Sequence, residues 1–216
     1  MSGVLRVVSR TRRGATATRS ERGASEAPAR VASFQPQVGA GCRVLVLGTV
    51  PSLKSLQMQQ SYAHPHNLFW PFMGLLYDAG PELPYRERIA RLHAAGVGIW
   101  DVLKHCERPG SLDSSILVES EVANDIPGLL ETYPTIEAIA LNGAKARQVF
   151  ERRIRPAIPP ARLARLAILA LPSTSPANAS IPRAVKLEQW RALLRWSMPC
   201  AGPQRGVRHR RLSSAP

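Results

Sequence analysis

Cysteine is scarce. Cys42, Cys106 and Cys200 stand far apart with no C-x-x-C pair, which argues against a disulfide framework and against the thiolate sets of zinc or iron-sulfur sites. No metal and no cofactor is expected, and reduced thiols fit a cytoplasmic chain. No apolar run approaches the ~18 residues that a membrane span needs, and the N-terminal stretch lacks the apolar centre of a secretory signal. A membrane partner is therefore not expected. An organellar leader would be rich in Arg and Ser but poor in acid, and Glu21 and Glu26 interrupt that pattern. The G-x-G-x-x-G turn, the P-loop and the G-x-S-x-G elbow are also missing, which sets aside nucleotide-handling and serine-hydrolase chemistry.

Acidic residues are few as well, 15 Asp and Glu against 29 Lys and Arg among 216 residues. The excess is uneven. Residues 1–40 hold seven Arg and two Glu, and residues 199–216 hold four Arg and no acid, so the two ends carry +5 and +4 of the net +14. Basic ends on a basic body favour a polyanion, because neutralising phosphates releases counterions. Nucleic acid is the expected partner, although Arg-rich coding bias alone would produce some of the same excess.

A content of 44% apolar residues suffices for one core. The reading is a disordered basic arm over 1–40, one domain over 41–197 acting as a monomer, and a disordered basic tail over 198–216. Within the domain, 43–47 is a β-branched run of the kind that forms a buried parallel strand. A loop follows to His66, then helices over 67–79 and 85–95 and a strand over 96–100. Residues 104–120 read as a surface loop, and 121–132 as a helix broken at Pro127. Strands over 136–141 and 166–171 alternate with helices over 144–153 and 182–196. This alternation predicts an α/β fold, a three-layer α/β/α sandwich with a central, mainly parallel sheet of about four strands. Function in such folds collects in loops at the carboxyl ends of the strands.

Three segments stand at those ends: Gly48-Thr49-Val50-Pro51-Ser52, Asn142-Gly143, and Pro172-Ser173-Thr174-Ser175-Pro176-Ala177-Asn178. The first is followed by Tyr62-Ala63-His64-Pro65-His66-Asn67-Leu68-Phe69-Trp70. Together with Arg108-Pro109-Gly110-Ser111-Leu112-Asp113-Ser114 and Leu141 to Ala146, this order of motifs resembles the uracil-DNA glycosylase superfamily, and within it the hypoxanthine-DNA glycosylase branch. The match covers about residues 43–196. The resemblance implies a monofunctional glycosylase that extrudes a deaminated base from double-stranded DNA, with single strands a second substrate form, and hydrolyses its N-glycosidic bond. It also implies work on the nucleoid. No lysine is expected among the pocket groups, so the resemblance gives no sign of lyase activity.

Breaking that bond passes through a cationic sugar, so the site must stabilise the cation and the departing base and must position one water. Relatives place an Asp or Asn where this chain has Val50, which can do neither. The resemblance instead makes Asn67 the catalytic residue, since an amide offers both donor and acceptor. Its other reading is a helix cap, contributing about 1 kcal/mol. Tyr62 matches the aromatic that stacks on the flipped base, and Asn142 matches the amide that reads a base edge, although Asn-Gly is also an ordinary turn. Gly48, Thr49, Val50, Pro51 and Ser52 complete the base-binding set.

Ser173, Thr174, Ser175, Pro176, Ala177 and Asn178 match the loop that enters the minor groove. Ser173 stands at a catalytic His of the uracil-specific branch and Ala177 at a wedging Leu, so a modest enzyme acting on weakened pairs is expected. Backbone N–H groups of this loop, with Ser175, are expected to hold phosphates. Phe69 and Trp70 read as core, Asp113 as a buried carboxylate bracing the loops, and His64 and His66 as structural. A uracil- or mismatch-specific glycosylase, and a non-catalytic damage-binding module, stay open as alternatives.

Overall fold

In the computed structural model, residues 29–197 are described. Four parallel strands form the central sheet: β2 (Val44–Gly48), β3 (Val97–Asp101), β6 (Ala138–Asn142) and β7 (Ala167–Leu171), in the order β3-β2-β6-β7. The two inner strands, VLVLG and AIALN, are buried at every position, so uninterrupted apolar sequence is what they require.

Alternate side chains point to opposite faces of the sheet. Leu45, Leu47, Ile139 and Leu141 join one core with Leu129 and Leu130 of α4 (Ile126–Thr132) and Ala146 and Val149 of α5 (Ala144–Val149). Val44, Val46, Ala138 and Ala140 join the other, with Phe69, Phe72 and Met73 of α2 (Phe69–Tyr77), Leu92 of α3 (Tyr85–Ala94) and Trp190 of α7 (Arg183–Trp190). Two cores on two faces make the three-layer sandwich that the alternation predicts.

Four things depart from the expected layout. Residues placed in the basic arm are folded: β1 (Ala29–Ala32) pairs antiparallel with β4 (Leu103–Arg108), and Gln37 bridges to Ile99. The boundary near residue 40 is thus corrected to at or before residue 29, while the rest of the arm and the tail from 198 lie outside the described residues. The stretch expected as a surface loop contains β4, which with β1 and β5 (Val122–Ala123) makes a second, antiparallel sheet. A helix, α1 (Leu53–Met58), rises inside the loop before His66, capped by the Ser52 hydroxyl, which accepts from Ser55 N–H at 3.2 Å.

Pro127 does not break a helix. It stands in the first turn of α4, where the missing N–H costs nothing, and Asp125 caps that turn by accepting from Gly128 N–H at 2.9 Å. A short helix, α6 (Pro160–Leu163), then leads the chain back to β7.

Candidate functional site

A cleft of about 270 Å³ opens at the carboxyl ends of the four parallel strands. Gly48, Thr49, Val50, Pro51, Ser52, Tyr62, Asn67, Asn142, Ser173, Thr174, Ser175, Ala177 and Asn178 all line it. Pro176 alone of the expected site residues does not. With Ala177 it forms the exposed tip of the β7–α7 loop.

The walls are tied to one another. Leu68 N–H, at the start of α2, donates to Thr174 O at 3.0 Å, joining the segment that carries Asn67 to the last loop. Asn142 and Thr174 share two bonds: Asn142 Nδ2 donates to Thr174 Oγ1 and Thr174 N–H donates to Asn142 Oδ1, both at 3.0 Å. An amide offers two donor hydrogens and two lone pairs. Asn142 therefore keeps one of each for a base edge, and is a structural tie at the same time.

Asn67 sits before α2 rather than in it. Its Oδ1 accepts from Phe69 N–H at 2.9 Å, so the capping role and the place in the cleft coexist. With one Oδ1 lone pair taken by the backbone, Asn67 keeps both amide N–H groups and a second lone pair toward the cleft. Tyr62 adopts a left-handed backbone, φ 58°, and its ring lies flat on Phe69, centroids 3.9 Å apart and planes 19° apart. Phe69 is fully buried and Trp70 nearly so, as expected of core residues. One face of Tyr62 is thus backed by the core.

The Tyr62 hydroxyl is buried and has no hydrogen-bond partner among the described residues. Burial, then the Asp101 carboxylate, push its pKa well above the usual phenol value, although the nearby Asn142 amide pulls the other way. Asp101 ends β3 opposite Gly48 in register. A Cβ added to Gly48 would come within 2.6 Å of Asp101 Oδ1 and 2.9 Å of Tyr62 Oη, so only glycine leaves room for both. Burial pushes the Asp101 carboxyl up to about 7, against the Ser33 hydroxyl, which donates to Oδ2 at 3.2 Å.

Asp113 braces the loops, but from a partly open position: its side chain is 44% exposed toward the cleft. Its Oδ2 accepts from Thr49 Oγ1 at 2.7 Å, and Arg108, 1% exposed, lies 3.9 Å from Oδ1 while donating to Pro51 O at 2.7 Å. Burial raises the Asp113 pKa, Thr49 and then Arg108 opposing it.

Two expectations are revised. Lys145, in the first turn of α5, does line the cleft, with Nζ 2.7 Å from the buried Glu121 carboxylate, which Arg152 and Arg153 also pair. And four backbone N–H groups of the last loop already donate within the protein: Thr174 to Asn142, Ser175 to Ser173 Oγ at 3.2 Å, Ala177 to Ser175 Oγ at 3.3 Å and Asn178 to Ser175 O at 3.0 Å.

Sequence reasoning missed Asp101 and Lys186. Lys186 on α7 is 2% exposed, and its ammonium donates to Ser173 O at 2.8 Å and also to Asn178 O, holding both ends of the loop. Desolvation lowers its pKa. Its helical spacing gave no signal, since a lysine on an amphipathic helix normally faces water. His66 N–H donates to His64 Nδ1 at 3.2 Å, a local turn.

Comparison with known proteins agrees with this architecture. The model of a family described as the uracil DNA glycosylase superfamily matches residues 36–194. A protein of Methanosarcina acetivorans named hypoxanthine DNA glycosylase is 38% identical over 104 residues, 48% of this chain and 65% of that relative. The match thus spans just under two thirds of that relative's length. A protein of the same name from Methanosarcina barkeri is 30% identical over 114 residues, 52% of this chain and 71% of its own. A solution NMR structure of a Methanosarcina acetivorans protein, described as a candidate uracil DNA glycosylase, superposes with a TM-score of 0.64 at 30% identity, over 77% of this chain and 98% of that one.

Proposed function

The chain belongs to the uracil DNA glycosylase superfamily, and from that premise we propose that it is a monofunctional DNA glycosylase of base-excision repair. It flips a deaminated base, hypoxanthine in the first place, out of double-stranded DNA and hydrolyses the N-glycosidic bond to leave an abasic site. The observation that carries this reading is that Tyr62 and Asn67 from the loop before α2, and Asn142 from the end of β6, line one cleft at the strand ends.

Each wall has a task in that reaction. The open face of Tyr62 stacks on the extruded base, a contact of ~1–3 kcal/mol that suits a purine. Asn142 offers its remaining N–H and lone pair to the carbonyl and N–H of the 6-oxopurine edge. The Asn67 N–H₂ works at the sugar and the departing base, where charge develops in a water-poor site and fixed dipoles act most strongly. The Pro176–Ala177 tip enters the groove. Cations of the body and of the ends draw the phosphates in without reading sequence. The names of the Methanosarcina relatives support hypoxanthine over uracil as the preferred base. The proposal includes a monomer working on the nucleoid in the cytoplasm.

The test is incubation of end-labelled duplexes containing hypoxanthine, uracil, xanthine or ethenoadenine, followed by alkaline cleavage at abasic sites. Strand scission at hypoxanthine above the other bases is expected. Binding of all four duplexes with scission at none would make the protein a damage-binding module instead.

A further inference from the structure

The cleft wall carries two carboxylates, Asp101 and Asp113. Asp113 is occupied: Thr49 donates to one oxygen at 2.7 Å and the Arg108 guanidinium lies 3.9 Å from the other. Among the described residues Asp101 is occupied on one side only, by the Ser33 hydroxyl on Oδ2 at 3.2 Å. Its Oδ1 faces the space above Gly48, beside the buried Tyr62 hydroxyl that no described residue satisfies.

The backbone around Asp101 is firmly held. Val102 N–H donates to Gly48 O at 2.8 Å, Leu103 N–H to Thr49 O at 3.1 Å, and Asn124 Nδ2 to Asp101 O at 2.8 Å. A carboxylate so fixed, with one free oxygen next to an unsatisfied hydroxyl donor, is built to grip a water at two points.

We propose that Asp101 is the general base of the site, taking the proton from the water that attacks the sugar, an inference that rests on the hydrolytic reading above. The water accepts the Tyr62 O–H and donates to Asp101 Oδ1. As the C1′–N bond breaks, its electron pair leaves with the base and the water oxygen bonds to C1′. One water proton passes to Oδ1. The base anion takes a proton from solvent, and Asp101 later returns its own. In its ionised form Asp101 also places negative charge near the cationic sugar.

The groups facing Asp101 are Ser33 after β1, Tyr62 before α2, Arg108 on β4 and Asp113 beyond it. Burial, reinforced by Asp113 and opposed by Ser33 and Arg108, sets its titration near 7. A base must be ionised to act, so activity should rise with pH through that value.

The experiment is single-turnover excision from a hypoxanthine-containing duplex between about pH 5 and pH 9 by the wild type, Asp101→Asn and Ser33→Ala. The wild type is expected to show a rising limb centred near 7. Asp101→Asn should lose at least about 100-fold in rate and lose the limb, while binding the duplex as before. Ser33→Ala removes the donor that favours the ionised carboxyl, so its limb should move to higher pH. It keeps the carboxylate, so it decides the matter if Asp101→Asn does not fold. An Asp101→Asn rate within about threefold of wild type, a limb that survives that substitution, or a limb unmoved in Ser33→Ala overturns the assignment and leaves the glycosylase reading standing. A wild type that releases no base removes both.

Discussion

Asn142 and Thr174 satisfy each other through two 3.0 Å hydrogen bonds across the mouth of the sheet, so the residue proposed to read a base also clamps the loop proposed to enter DNA. Thr174→Val keeps the shape but leaves the buried Asn142 amide without its acceptor. Stability should fall by about 1–3 kcal/mol, and base discrimination should weaken as the amide turns. Thermal unfolding and the ratio of hypoxanthine to adenine excision check both parts.

Asn67 holds α2 and faces the cleft at once, and two substitutions separate the roles. Asn67→Ala should remove excision and cost about 1 kcal/mol of stability through the lost cap. Asn67→Asp keeps an oxygen for Phe69 N–H and should recover the melting temperature, but not the activity, since it lacks the N–H₂. Full turnover by either variant would exclude Asn67 from the chemistry.

The Tyr62 hydroxyl lies buried with no hydrogen-bond partner among the described residues. Tyr62→Phe should therefore be neutral or slightly stabilising in the absence of DNA, because an unsatisfied buried polar group is removed. Tyr62→Ala should instead weaken capture of the damaged duplex by about 1–3 kcal/mol through lost stacking. Melting curves and Kd for a hypoxanthine duplex distinguish the two.

Asp101 should make stability pH-dependent with a definite sign. Burial raises its folded pKa to about 7 from the ordinary 3.8, so the folded chain binds the extra proton between those values. The contribution to stability is complete below the lower value and is lost as pH rises through the higher one. Asp101→Asn should raise the melting temperature at pH 8 and change it far less at pH 4. An equal shift at both would mean that Asp101 titrates normally.

Lys186→Met keeps the stem but leaves Ser173 O and Asn178 O without their donor. The loop should loosen, with faster amide exchange over 173–178 and a higher KM. Wild-type exchange across those residues would show that the ammonium braces nothing.

The central sheet was legible because β2, β6 and β7 are short runs of apolar residues, and three loop motifs stand at their ends. β4 was not, since Leu103-Lys104-His105-Cys106-Glu107-Arg108 buries Arg108 among its inward positions, and a charged residue there reads as loop. α1 was hidden by the Ser- and Gln-rich stretch around it. Tyr62, Asn67 and Asn142 were found through motif resemblance. Asp101 had no motif and acquires meaning only when β3 pairs with β2 and sets it across from Gly48. Lys186 depends in the same way on α7 folding back against a loop that precedes it.

Phe69 belongs to the core beneath the sheet and also backs the ring of Tyr62. The width of the cleft beside the proposed base platform is therefore coupled to the stability of the core. Any drift that widens the pocket by trimming Phe69 would also open a void against Trp70 and Trp190, whose rings meet it edge-on. Broadened specificity in this lineage should then arise from loop changes, with the aromatic floor left as it is.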